Sequence, residues 1–520
     1  MLFTTLEFGL FLAVCVLAYY LLPKRFQWLL LLGFSLVFYA MLGKKYIAFV
    51  LFSGITTWMA AQWMGAQYAA QQAALAANPA LDRAAKKELQ KKYKSRSRIV
   101  LLLFLAANLG LLFCFKFYNM AAEQLAFLPQ MRLLMPVGIS FYTLQVLGYV
   151  IDVYHRKVKP EKSLLKTLLF TMFFPQIIEG PISRFDQLAP QLCAEHAFDY
   201  DRFVLGLERM LWGYFKKLVI ADRLNIIVTS IFEAYGRYEG FEIAIGAALY
   251  TIQLYADFSG GIDIACGVGE LFGISYAENF KRPFFSKSIS EFWRRWHITL
   301  GTWLRDYVFY PLTLSKPMAK LGKWSAKHFG KTAGKWLPAC LSLLALWMCN
   351  GLWHGEGMQY IAFGLYHGCL VILGMAAAPL FDRVSGLLHV NRQSQCFKII
   401  QILRTFFLVC FGEMIFRSTS LTMAKDLTVR LFSKWNPWVL FGPFIQNLGL
   451  DTKELAVAAI AMLVLLCVSL ASRKGSVRDW INRQELPIRW FILLGGIVSV
   501  VLFGVYGPGY DPTPFIYFKF

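Results

Sequence analysis

Apolar residues in this chain gather into blocks about as long as a lipid bilayer's interior is thick. A helix needs about 20 residues to cross roughly 30 Å of hydrocarbon. Blocks of that order lie near 6–22, 27–42, 46–65 and 99–115, then near 133–151, 164–180, 203–221, 241–256, 337–353, 357–378, 398–416, 453–471 and 488–506. In lipid every backbone N–H and C=O must be satisfied internally, so such blocks fold as helices. A soluble chain would break them with a polar face at helical period. Composition agrees, with 57% hydrophobic and 16% charged residues, where soluble domains run about half apolar and about a quarter charged. The first block carries acidic Glu7 and has no basic leader or small-residue cleavage site, so it is expected to be a retained span.

The net charge of +22, from 53 Lys+Arg against 31 Asp+Glu, would suggest nucleic acid on a soluble protein. Here the basic residues sit between apolar blocks, where cytoplasmic loops and anionic headgroups favour them, and no nucleic-acid module is present. Residues 66–98, ending in Lys86, Lys87, Lys91, Lys92, Lys94, Arg96 and Arg98, are expected to form a basic amphipathic cytoplasmic loop, helical and lying on the membrane surface. Its basic end is a candidate contact for an acidic carrier protein. Parity then places Lys24 and Arg25 inside and the N-terminus outside. None of the ten cysteines forms a C-x-x-C pair, so they read as packing residues and no metal site is expected.

Several blocks are interrupted, by Pro136 and Gly138, by Pro175, and by Glu208-Arg209 with Lys216-Lys217. Broken or charged helices survive at membrane depth only where protein or a water-filled cavity covers them. The expectation is an all-α polytopic membrane protein, a ring of about eleven transmembrane helices plus short and re-entrant ones around a central tunnel. No internal repeat is visible, which weighs against a transporter built from two similar halves. The organisation reads as spans over 1–65, the basic loop 66–98, a core over 99–378, and further spans with an aromatic tail over 379–520.

Residues 251–310 concentrate chemistry. Asp257, Asp263, Glu270, Glu278, Arg282, Glu291, Arg294, Arg295, His297, Arg305 and Asp306 alternate with Tyr255, Phe258, Phe292, Trp293, Trp296, Trp303 and Tyr307. Ionisable groups between spans are costly unless paired or facing a cavity, so a functional site is the default reading. Two histidines stand out. His297 closes Trp293-Arg-Arg-Trp-His297, and His354 ends an apolar block in Asn350-Gly-Leu-Trp-His-Gly-Glu-Gly357. An imidazole is the natural general base toward a hydroxyl, although a structural hydrogen-bonding role stays open for both. There is no G-x-S-x-G, H-E-x-x-H or phosphate-binding G-x-x-x-x-G-K-[ST]. His155, His196, His328 and His389 read as surface or interfacial residues.

The string from Glu278 to Leu312, ENFKRPFFSKSISEFWRRWHITLGTWLRDYVFYPL, resembles the signature of the membrane-bound O-acyltransferase family, in its alginate O-acetyltransferase-like branch. Pro136 to Gln145, Phe174 to Arg184 and Asn350 to Glu356 resemble the same branch, whose cousins transfer D-alanine to teichoic acid. The resemblance implies that His354 is the main catalytic residue and His297 its partner. It implies an acyl thioester donor (acetyl-coenzyme A or an acyl carrier protein) arriving from the cytoplasm as substrate, with no bound cofactor. The acceptor hydroxyl would enter from the opposite mouth, for O-acylation of an extracellular polysaccharide. His354 would act as general base while His297 orients it or stabilises the oxyanion. Arg294, Arg295, Trp296, Arg305, Asp306, Asp257, Asn279, Trp353 and Glu356 are candidate donor- or acceptor-binding residues. A plasma or inner membrane location and a separate extracytoplasmic partner protein are also implied.

The tail Pro514-Phe-Ile-Tyr-Phe-Lys-Phe520 reads as an interfacial aromatic girdle. Similar endings recur in the branch, which makes Tyr517 a candidate acyl relay. A transporter or flippase using the same charged cavity is the competing function, and it leaves both histidine motifs without a purpose.

Overall fold

The computed structural model describes residues 2–124, 129, 135–442, 444–506 and 515, and these form helices joined by turns and coil, without a strand. Among them seven helical stretches have the length and apolarity to cross a membrane: Lys24–Ala77, Arg83–Ala122, Lys316–His354, Met358–Leu387, Gln395–Arg417, Thr452–Ala471 and Leu486–Phe503. Leu6–Leu21 and Ile139–Tyr154 are shorter apolar helices. The protein is therefore a polytopic all-α membrane protein. Its outward faces show why. Leu6, Leu10, Leu17 and Leu21 are all more than 60% exposed, and the helix Leu486–Phe503 buries nothing. Such surfaces need hydrocarbon around them.

The chain divides into two compact units, Met1–Leu207 with Ala265–Ala277, and Glu208–Ile264 with Glu278–Phe520. In the first, side-chain hydrogen bonds tie distant helices where backbone groups would otherwise face lipid. Gln27 Nε2 donates to His196 O (3.0 Å) while His196 N donates back to Gln27 Oε1 (2.9 Å). Tyr20 OH reaches Leu271 O at 2.7 Å, and Tyr39 OH reaches Val137 O at 2.7 Å. The break expected at Gly138 is present. Its φ is 77°, and a Cβ there would strike Ile177 O, so only glycine fits.

Residues 66–98 are helical apart from a short connection. The helix Ile47–Ala77 runs on from its span, and Arg83–Gln124 begins well before the next, leaving only residues 78–82 to connect them. Ala, Gln, Lys and Glu are strong helix formers, so propensity extends both spans through polar sequence.

The second unit buries the charges that interrupted its helices. Phe215–Ala221 is a π-helical insertion following Tyr200–Tyr214. Lys216 and Lys217, 2% and 1% exposed, point inward from it. Lys217 Nζ lies 2.6 Å from Asp257 and 2.9 Å from Asp222, and Lys216 Nζ lies 2.6 Å from Asp263, which also takes Arg209 Nε at 2.9 Å. Each cation thus has a carboxylate at hydrogen-bond distance, the condition for burial.

Candidate active site

The site is built on two helix ends in the second unit. The first is the segment Glu278–Leu304. Asn279 and Lys281 run beside Arg295 and Ile298, with Ile298 N donating to Asn279 O (3.0 Å) and Lys281 N to Arg295 O (2.9 Å). His297 stands between these bonds in the left-handed region, φ 45° and ψ 51°, as the N-cap of the helix Ile298–Leu304. A non-glycine residue there is strained and needs its surroundings to hold it. The holder is Asn279. Its Oδ1 accepts from Thr299 N (3.0 Å) and Thr299 Oγ1 (2.9 Å) and lies 3.2 Å from His297 Nδ1.

That arrangement assigns the tautomer. Thr299 N can only donate, so the atom facing it is the amide oxygen of Asn279. The same oxygen faces His297 Nδ1, which must then carry the proton. His297 is 2% exposed, and burial pushes its pKa down to about 3. The ring is neutral, and Nε2 presents a lone pair.

The second helix end carries His354, the last residue of Lys316–His354 and 5% exposed. Its helix packs on Met358–Leu387 through small residues. A Cβ at Gly351 would meet Tyr360 O, and one at Gly364 would meet Trp347 O, so both positions require glycine for the backbones to approach. Trp353 joins the two histidines, its ring 5.7 Å from His297 and 4.9 Å from His354. Phe258 stands edge-on to His297 at 4.8 Å, and Phe416 to His354 at 5.0 Å.

A cavity of about 360 Å³ opens beside His297, within the roughly 300–1,000 Å³ of small-molecule sites. Trp293, Leu300, Leu346 and Trp347 line its apolar wall, and Arg294, Arg305 and Asn350 add polar groups. The structure therefore gathers His297, Arg294 and Arg305 around one space, and Trp353 joins His297 to His354. Other candidates lie elsewhere. Arg295 is bound to Glu291 (2.6 Å) and to Arg282 O, outside the cavity lining. Asp257 neutralises Lys217. Trp296 sits among Tyr255, Phe280, Phe284 and Phe292. Asp306 pairs with Arg305 at 2.9 Å, and Glu356 is exposed. Tyr517 lies outside the described residues. Its neighbour Phe515 is buried, with its ring 4.7 Å from Lys217 Nζ.

One residue escaped the sequence reading. His367 is fully buried, its ring 4.9 Å from Trp293, 5.8 Å from Trp347 and 4.8 Å from Phe363. It stands behind the aromatic wall of the cavity. Its position thirteen residues beyond His354 carried no motif; only its place on the face of Phe363 and Gly364, one helical turn back, could have shown it.

Fold and site together define a multi-pass helical membrane protein with two buried imidazoles joined through one indole. Comparison gives the rest. Residues 156–422 match the family model of the membrane-bound O-acyltransferases. Probable alginate O-acetylases AlgI of Pseudomonas syringae pv. tomato and Pseudomonas putida are each 33% identical to this chain, over 92% and 98% of it and 82% and 98% of their own lengths. The teichoic acid D-alanyltransferase of Bacillus subtilis is 30% identical over 55% of this chain and 70% of its own. The chain belongs to the membrane-bound O-acyltransferase family and is an acyltransferase, as its motifs implied.

Proposed function

We propose that this protein moves an acetyl group from a cytoplasmic thioester, acetyl-coenzyme A or an acyl carrier protein, to a hydroxyl acceptor for O-acylation of an extracellular polysaccharide. The two alginate O-acetylases align over nearly the whole chain, and the D-alanyltransferase over about half, which favours acetyl and a polysaccharide. Work on an extracellular polymer with a cytoplasmic donor fits the plasma or inner membrane. Handing the acyl group to the polymer would fall to an extracytoplasmic partner protein. The observation that carries the mechanism is the Asn279–His297 contact beside the cavity.

In this reading the thioester lies in the cavity, with Arg294 and Arg305 on donor phosphates. His354 takes the proton of the acceptor hydroxyl as its oxygen attacks the thioester carbonyl. The tetrahedral oxyanion collapses, the C–S bond breaks, and the thiolate takes the proton from the imidazolium. With Nδ1–H committed to Asn279, His297 offers a lone pair at Nε2 and has no donor there for an oxyanion. The tautomer therefore favours the orienting role, accepting a hydrogen bond within the site. Tyr517 would serve as a first acceptor hydroxyl, carrying the group as an ester.

The test is acyl transfer from radiolabelled acetyl-coenzyme A in membranes at equal expression. Label that appears with wild type and vanishes with His354→Ala supports the reading. Equal label in wild type, His354→Ala and His297→Ala overturns the catalytic assignment.

A further inference from the structure

The helix Lys316–His354 is two helices joined at Gly330, whose φ of 88° folds the chain back on itself. Ser315 caps the first arm, its Oγ accepting from Met318 N. The arms touch backbone to backbone. Ser325 Oγ donates toward Gly322 O (3.2 Å) and Ala333 O (3.3 Å), and a Cβ at Gly322 or Gly334 would meet the other's carbonyl oxygen. The result is a tight helical hairpin whose outer face belongs to neither arm's packing.

That face has one chemistry. Lys316, Lys320, Lys323 and Lys327 follow at three- or four-residue steps on the first arm and Lys331 and Lys335 at a four-residue step on the second, and all six are exposed. No Asp or Glu occurs between Tyr307 and Gly355. Trp324, Phe329 and Trp336 are 50%, 67% and 37% exposed among the lysines. The second arm fixes the depth. It runs unbroken from Lys331 into an apolar window that qualifies as a span. Its uncharged stretch begins at Leu337, immediately after Lys331, Lys335 and Trp336, so these three flank the end of the span.

We propose that the hairpin Lys316–Trp336 binds the headgroups of acidic phospholipids, the lysines taking phosphate oxygens and Trp324 and Trp336 seating at the interface. An acidic protein would answer the lysines but not the exposed indoles at the end of a span, where tryptophan is the residue that anchors to lipid. The proposal is independent of the acyl group and acceptor.

The test counts lipid retained by the detergent-purified full chain, by native mass spectrometry, after incubation with phosphatidylglycerol or phosphatidylcholine. Wild type is expected to keep phosphatidylglycerol over phosphatidylcholine, less so as salt rises. Replacing all six lysines by glutamine is expected to weaken retention about tenfold or more, and replacing them by arginine to restore it. Trp324→Ala with Trp336→Ala should lose an intermediate share. A shared thermal transition shows which variants fold, and the salt series on wild type stands without any variant. Equal retention of the two lipids by wild type, or unchanged phosphatidylglycerol retention in the folded glutamine variant, overturns the proposal. So does loss of a co-purifying acidic protein with lipid retention intact, which would reassign the face to that protein.

Discussion

Asn279 Oδ1 lies 3.2 Å from His297 Nδ1 while holding both Thr299 donors, so one amide oxygen sets the proton position on a buried imidazole eighteen residues away. Its removal is informative. Asn279→Ala strands Thr299 N and releases the ring, which should cost about 1–3 kcal/mol of stability and lower kcat about 10–100-fold. Asn279→Asp keeps the acceptor and should retain the fold. Thermal transitions and initial rates of acetyl transfer separate the two effects.

The pH dependence follows from burial. The pKa of His297 near 3 lies below its ordinary 6.5, so wild type should show no limb from this group between about pH 5 and 9. A carboxylate from Asn279→Asp raises the affinity of the ring for a proton, and an imidazolium cannot accept a hydrogen bond. That variant should lose rate as pH falls through its raised pKa, read from kcat against pH. Stability has the same sign. A depressed folded pKa gives a contribution present above 6.5 and lost as pH falls toward 3. The thermal transition of wild type should therefore drop more between pH 7 and 4 than that of His297→Asn.

The two neighbouring arginines should behave differently. Arg294 lines the cavity, whereas Arg295 is spent on Glu291. Under the proposed mechanism Arg294→Ala raises the KM for the thioester severalfold, a loss of about 1–2 kcal/mol for a charge-assisted contact. Arg295→Ala should leave KM near wild type. Equal effects of the two changes would remove the donor role of the cavity.

Lys217 bridges Asp222 and Asp257. Lys217→Met removes the cation that both buried carboxylates share and should cost about 3–5 kcal/mol, visible as low yield and an early thermal transition. Adding Asp257→Asn and Asp222→Asn to Lys217→Met should recover most of the loss. Failure of that rescue would mean that Lys217 acts through its contact with Phe515 rather than through charge.

Much of this was legible beforehand because lipid imposes a coarse rule. Apolar blocks gave the long helices, and the lysines at 216 and 217 announced covered charge, which Asp257, Asp222 and Asp263 supply. Through residues 66–98 hydropathy marks where a span stops, not where its helix stops. The histidines were visible as motif members. What sequence could not show was the crossing of Asn279 with Thr299, which depends on His297 adopting a positive φ. It also could not rank Arg294 above Arg295, since adjacent identical side chains differ only in which way the short helix Ile289–Trp293 aims them.

His354 ends a helix instead of riding a loop, and the helix before it is clamped at Gly351 and Gly364. The imidazole is therefore indexed like a tooth on a shaft. Deleting Leu352, between the clamp at Gly351 and His354, would leave hydropathy and length almost unchanged. It would also rotate His354 by about 100° relative to the clamp, turning the imidazole away from its present neighbours. Chain variation in this stretch should therefore proceed by substitution and not by single-residue insertion or deletion.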